Sequence, residues 1–269
     1  MKPARAHPAL RVLAVLAFAF LYLPIVVLVL FSFNDSKFGA TWTGFTLKWY
    51  GALATRDDVR AALTNSFAVA LASTLVSTVL GTMLGVGLWR YEFRWKNVLT
   101  FLLVVPIVIP DIVMAVSLLM FYAVVRHVIG TLNLGLPTVI LAHVTFQVSY
   151  VALVVRSRLV GTDRSLEEAA RDLGASGLRV FTHVTLPLAL PGILAGALLA
   201  FTLSLDDFVV TFFTSGPGAT TLPVLVYSSV KLGVTPDINA LSSLLMLVTV
   251  IAVVAGNAIL RRRPGGDHA

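Results

Sequence analysis

Six long apolar runs separated by short polar segments set the pattern of this chain: residues 12–31, 62–88, 98–125, 136–155, 188–210 and 238–260. Each is near or above the ~20 residues with which a helix crosses a hydrocarbon layer. The pattern predicts an all-α polytopic membrane protein of about six transmembrane helices. No linker, low-complexity tract or internal repeat divides the runs, so residues 1–269 read as a single domain. The first run is too long for a signal-peptide core, carries Pro24, and leads into Phe33-Asn34-Asp35 rather than a small-x-small cleavage site. It reads as an uncleaved anchor.

Small and ring residues predict where these helices pack and bend. Gly81 with Gly85, and Gly192 with Gly196, are G-x-x-x-G pairs that let helix backbones approach closely. Pro106 and Pro110 remove backbone donors one turn apart and predict a kink or interruption beside Asp111. Broken backbone at membrane depth is tolerated where it is buried or lines a wet cavity, which makes the Asp111 region a candidate pathway lining.

The longest polar interruption, residues 156–187, holds EAARDLGASGLRVFTHVTLP. Ser165 and Glu168 have the spacing of a capping box, predicting a short helix that begins near Leu166. Leu166, Ala169, Ala170 and Leu173 fall at i, i+3, i+4 and i+7 and make one apolar stripe. Gly174 supplies the left-handed residue that ends the helix. An amphipathic helix-loop-helix in so apolar a chain has the form of a docking surface.

Composition agrees: 58% of residues are hydrophobic and 12% charged, with a mean hydropathy of +0.92. Of the 20 Lys and Arg residues, fourteen fall before the first run, in the second and fourth connections, and after the last run. The positive-inside rule then predicts that both termini and the 156–187 loop are cytoplasmic. The net charge of +7 is mostly this topogenic signal, and its scatter over four segments argues against a nucleic-acid partner and for headgroup contact with lipid. There is no Cys, which excludes disulfide and thiol chemistry. No G-x-x-x-x-G-K-[ST] occurs, so no phosphate-binding loop for ATP and no cofactor is predicted on this chain.

Asp111, Asp206 and Asp207 lie within or at the ends of apolar runs, where an ionised Asp costs roughly 2.5–3.5 kcal/mol at the bilayer centre. The runs contain no Lys or Arg and one His, His143, which argues against an in-chain salt bridge. A wet cavity, protonation, a partner's cation or a cationic cargo remain as compensation. For Asp206 and Asp207, solvation at the outer interface is a further account. Asn65 and Ser66 read as a helix cap, His143 and Asn257 as interhelical hydrogen-bonding groups, and Trp42 and Trp49 as aromatics of the outer segment, at home at headgroup level.

The residues quoted from 156–187 carry a resemblance. Glu168, Ala169 and Ala170, then Gly174, then Val184-Thr185-Leu186-Pro187, match the hallmark of permease subunits of ABC importers that work with a soluble binding protein. What this implies is a type I importer permease fold, with a coupling helix that lies in a groove of an ATPase subunit and transmits its closing motion. FSFNDSKFG, TGFTLKWY, PDIVMAVSLL, LSLDDFVVTFFTSGP and KLGVTPDINAL further resemble the spermidine/putrescine importers, and the second of their two related permease subunits. That resemblance implies polyamine cargo, a pathway holding Asp111, Asp206, Asp207, Ser204 and Trp49, with Tyr227 a weaker member, and a bacterial cytoplasmic (inner) membrane location. The implied partners are a second homologous permease, two ATPase subunits and an extracytoplasmic polyamine-binding protein.

Two other readings compete. The same machinery serves ferric ion, sulfate or an opine, although an anionic cargo is disfavoured by membrane segments that offer carboxylates and no Lys or Arg. An intramembrane aspartyl enzyme needs two facing carboxylates, whereas Asp206 and Asp207 are adjacent and, on one continuous helix, point about 100° apart.

Overall fold

The computed structural model describes residues 8–36, 41–231, 233 and 235–261. Lys2, Arg5, Lys37, Arg262 and Arg263, and the side chains of Asn257 and Arg261, which entered the charge count or the reading of polar residues, lie outside the described residues. The helices are α1 Pro8–Phe31, α2 Lys48–Thr55, α3 Asp57–Arg90, α4 Lys96–Val108, α5 Asp111–Ile129 and α6 Leu136–Val160. They continue with α7 Ser165–Asp172, α8 Gly177–Val180, α9 Leu186–Asp206, α10 Val209–Thr214, α11 Leu222–Lys231 and α12 Pro236–Arg261, a π turn at Phe181–Thr185 joining α8 to α9. Among the described residues five helical stretches are long and apolar enough to cross a membrane: Ala9–Phe31, Asp57–Arg90, Asp111–Ile129, Leu136–Val160 and Gly177–Asp206. No strand occurs among them beyond one isolated bridge, Asn34 with Phe45.

The apolar run 98–125 is two helices, not one. Ile109 and Pro110 are extended (ψ 133° and 135°) and separate α4 from α5. A proline disfavours helical geometry in the residue before it, so Pro110 acts through Ile109. The run 188–210 also breaks, for α9 ends at Asp206 and Asp207 is extended (ψ 122°). Asp206 and Asp207 therefore do not share one continuous helix.

The chain forms two compact units, residues 1–57 with 226–269, and residues 58–225. In the first, α12 packs on α1 and α2, and Arg56 pairs with Asp237 at the start of α12. Asn34 folds the segment between α1 and α2: its amide donates to the Thr41 carbonyl at 2.7 Å and accepts the Thr43 N–H at 2.9 Å.

The second unit is organised by α6, which is buried on several faces as a helix at the centre of a bundle must be. Both glycine pairs serve it. A Cβ on Gly81 would stand 2.6 Å from Val151 Cβ, and one on Gly196 would stand 3.3 Å from Val151 Cα, so α3 and α9 close on the same α6 residue. Val86, Trp89, Val155, Leu159 and Ala189 extend this core. Gln147 of α6 accepts from the Ser77 hydroxyl at 3.0 Å and donates to the Ala200 carbonyl at 3.1 Å, so the polar links also run from α6 to α3 and α9.

Asn65 and Ser66 do not cap their own helix. α3 begins two turns earlier, at Asp57, and the two side chains reach across to the loop before α11 and to its first residue. Asn65 donates to the Gly218 and Thr220 carbonyls at 2.9 and 3.0 Å, and the Ser66 hydroxyl accepts the Leu222 N–H at 2.8 Å. These bonds supply partners to loop backbone that lacks its own.

Candidate functional site

Asp111, Asp206 and Asp207 line one cavity of about 330 Å³ in the second unit. Each arrives there through a break in the helical backbone. Asp111 opens α5 after the Ile109-Pro110 break, Asp206 ends α9, and Asp207 is the extended residue before α10. Pro106, Met114, Phe146, Tyr150, Leu203 and Phe208 complete most of the wall, which holds no Lys or Arg. Carboxylates over apolar and aromatic surface suit a cation with a hydrocarbon body.

The three acids have different surroundings. The Asp111 and Asp206 side chains are exposed and take no hydrogen bond or ion pair from another described residue. Asp207 is engaged: Oδ2 accepts both the N–H and the hydroxyl of Thr211 at 2.7 Å, and Oδ1 accepts the Val210 N–H at 3.3 Å. His143, the one His in the runs, stands with Nε2 3.3 Å from Asp207 Oδ2, a contact that is an ion pair only where the imidazole is protonated on both nitrogens. His143 also meets Ser204 at 2.7 Å and Thr211 at 3.0 Å, linking α6 to α9 and α10 as an interhelical group. Ser204 is buried against His143 and Ser73 and is not part of the cavity wall.

Trp49 and Tyr227 belong to the first unit. The Trp49 indole donates to the Asn34 carbonyl at 2.7 Å, and the Lys48 ammonium sits 4.7 Å from its ring centre. Tyr227 lies under the Lys231 ammonium at 5.0 Å. Neither belongs to the wall of the acidic cavity.

A second candidate surface is α7 and the turn after it. Ser165 is already the first helical residue and makes no cap with Glu168. Instead the Asp163 carboxylate accepts the Ser165 N–H at 2.9 Å, which holds the Asp163 carboxyl below its usual range. Asp163 has the same reach as a cap and full charge, and it stands two residues earlier. Gly174 ends the helix at φ +85°, as the pattern predicted. Its N–H bonds to the Arg171 carbonyl at 2.8 Å and the Ala175 N–H to the Ala170 carbonyl at 3.0 Å, the paired bonds of a Schellman motif.

The apolar stripe of α7 is uncovered: Leu173 is 90% and Leu166 50% exposed, Ala169 is exposed and Ala170 half-buried. Glu168 also faces outward. The inward anchor is Glu167, which the sequence reading passed over. It is 7% exposed, lies 3.2 Å from Arg90 Nη2 and 3.7 Å from Arg171 Nη2, and accepts the Thr185 hydroxyl. Its i,i+4 spacing to Arg171 was the available signal. Arg164 donates to the Trp89 carbonyl at 2.5 Å and stacks over its ring, a second tie to the end of α3. Pro187 follows the π turn, where the chain is widened ahead of a residue that has no N–H and crowds the carbonyl four residues back.

Comparison with known proteins places this arrangement. Residues 77–262 match the family described as binding-protein-dependent transport system inner membrane component. The chain is 46% identical over 246 residues to the putrescine transport system permease protein PotI of Escherichia coli K12, covering 91% of this chain and 88% of that one. It is 41% identical over 250 residues to the spermidine/putrescine transport system permease protein PotC of the same strain, covering 93% of each. Among solved structures it resembles a chain of a bacterial ABC transporter involved in import of the acidic polysaccharide alginate, with a TM-score of 0.77, 17% identity, and 96% and 95% of the two chains covered. It also resembles a chain of the MetNI methionine ABC transporter, with a TM-score of 0.60, 22% identity, and 77% and 98% covered. These two likenesses show the fold, that of a type I ABC importer permease, and say nothing of cargo. The uncovered α7 motif, the broken helices around the cavity and the match over residues 77–262 together make the chain a member of the binding-protein-dependent transport system inner membrane component family, the membrane permeases of ABC importers.

Proposed function

We propose that this permease moves putrescine and spermidine into the bacterial cytoplasm across the inner membrane, acting as one transmembrane domain with both termini in the cytoplasm. The observation that carries the reading is the cavity walled by Asp111, Asp206 and Asp207 and by no Lys or Arg. A polyamine brings the cations that such a wall lacks and methylenes that suit Phe146, Tyr150 and Phe208. The names of the relatives at 46% and 41% identity support the same cargo. Sulfate or another anion would meet only like charge there.

The partners follow from the division of chemistry. A separate pair of ATPase subunits supplies energy, one of them receiving the exposed stripe Leu166, Ala169, Ala170 and Leu173. A second homologous permease completes the pathway, and an extracytoplasmic binding protein delivers the cargo. Motion of α7 is carried inward by Glu167, whose partners are Arg90 at the end of α3 and Thr185 in the π turn that leads into α9. α9 is 21 residues, roughly 30 Å of helix, and ends at Asp206. A rigid rod thus joins the docking surface to the acidic cavity. Proteoliposomes holding the assembled importer, given binding protein outside and ATP on the ATPase side, accumulate labelled putrescine or spermidine in this account. Accumulation of ferric ion, sulfate or an opine without polyamine uptake overturns it.

A further inference from the structure

Three carboxylates reach the same cavity, yet only Asp207 already has both oxygens engaged by the chain itself. Asp207 accepts three hydrogen bonds from Val210 and Thr211 and faces His143, while Asp111 and Asp206 take none from another described residue. The proton positions around His143 follow from who must donate. The Thr211 hydroxyl gives its proton to Asp207 Oδ2, so at the 3.0 Å contact His143 Nε2 is the donor and the Thr211 oxygen the acceptor. Nδ1 meets the Ser204 hydroxyl at 2.7 Å. The result is a connected chain through Ser204, His143, Thr211 and Asp207 that starts on α9, passes through α6 and ends where α9 gives way to α10. His143 is fully buried, so none of its bonds is exchangeable for one to water at no cost.

Building on the polyamine pathway just proposed, we infer that the three acids divide the work. Asp111 and Asp206, on α5 and α9, meet successive ammonium groups of the cargo. Asp207 is a positioning residue: with His143 and Thr211 it fixes the break that aims Asp206 into the cavity and sets the start of α10. What Asp207 must supply is an oxygen acceptor at the Oδ2 position, whereas what Asp111 and Asp206 must supply is charge.

Asparagine separates the two demands, because its carbonyl oxygen keeps the 2.7 Å bonds from Thr211, giving up only the 3.3 Å bond from Val210, while the charge is removed. In the assembled importer reconstituted with ATP and binding protein, and scored against complex abundance, Asp207→Asn retains putrescine uptake within about twofold. Asp111→Asn and Asp206→Asn each lose about tenfold or more, the scale of a lost charge-assisted bond. Asp207→Ala, which removes the acceptor, falls as far as those two, and His143→Gln, which keeps a donor and an acceptor, outperforms His143→Leu. If Asp207→Ala fails to assemble, the comparison of Asp207→Asn with Asp206→Asn still decides. An Asp207→Asn loss equal to that of Asp206→Asn overturns the division and makes Asp207 a third cargo carboxylate, leaving the pathway itself standing. Wild-type uptake by both Asp111→Asn and Asp206→Asn overturns the pathway as well.

Discussion

Glu167 Oε2 lies 3.2 Å from Arg90 Nη2, joining the first turn of the short helix α7 to the last residue of the long helix α3 across 77 positions of sequence. Both side chains are largely withdrawn from solvent, so the pair is not a screened surface contact, and Thr185 adds a third element to it. The link ties α7 to α3 and to the π turn while its apolar stripe stays exposed.

Glu167→Gln keeps the shape and the acceptor for Thr185 but removes the charge that answers Arg90. The expected outcome is a loss of about 1.5–3 kcal/mol from this contact, the scale of a hydrogen bond to a charged group. ATP hydrolysis then continues with less cargo moved per ATP. Parallel measurement of phosphate release and labelled putrescine uptake checks this; an unchanged ratio removes Glu167 from the coupling path.

Gly174 is the next test, because a Cβ there meets nothing within 4 Å and the whole effect comes from φ +85°. Gly174→Val forces a β-branched residue into left-handed backbone, at about 1–2 kcal/mol, and opens the bonds from Gly174 and Ala175 that close the helix. Transport and cargo-stimulated ATPase fall while membrane insertion survives. Normal coupling in this variant, together with no cross-link from a cysteine at Ala169 to an ATPase subunit, sinks the docking assignment.

Gly81 and Gly87 form a controlled pair on α3. A side chain at Gly81 drives into Val151, whereas one at Gly87 meets nothing within 4 Å. Gly81→Val therefore costs about 1–3 kcal/mol by overpacking and lowers the thermal midpoint of the purified complex, and Gly87→Ala leaves it unchanged. Equal midpoints for the two variants contradict the close approach of α3 to α6.

What the sequence disclosed follows the range of the physics involved. The apolar runs, the Gly174 stop and the Pro110 break are local effects of composition and backbone freedom, and each was legible from a few adjacent residues. The break at Asp207 was not, because Leu205-Asp206-Asp207-Phe208 contains no Pro or Gly and the apolar run reads straight through it. That break is held by Thr211 and by His143, the latter 64 residues earlier and on another helix. Glu167 differs from Glu168 in the sequence only by local spacing, Arg171 lying four residues on; that it is the buried one is decided by the side of α7 on which Arg90 lies. At the helix start two acceptors, Asp163 and Ser165, competed for one role, and spacing alone favoured the wrong one. The three acids were identified as a group, but their inequality is a matter of tertiary partners.

The central claim is that the cavity's charge is used by the cargo. Replacing Asp111, Asp206 and Asp207 together with Asn preserves side-chain volume and lowers the cost of membrane insertion, so the complex should reach normal abundance. Uptake of labelled putrescine and spermidine by proteoliposomes carrying this triple variant is the direct measurement. The account predicts a fall of at least about tenfold at unchanged abundance, since nothing remains in the wall to offset desolvation of the ammonium groups. Full uptake by the triple variant contradicts it and leaves Asp111 and Asp206 as solvated residues and Asp207 as a structural acceptor.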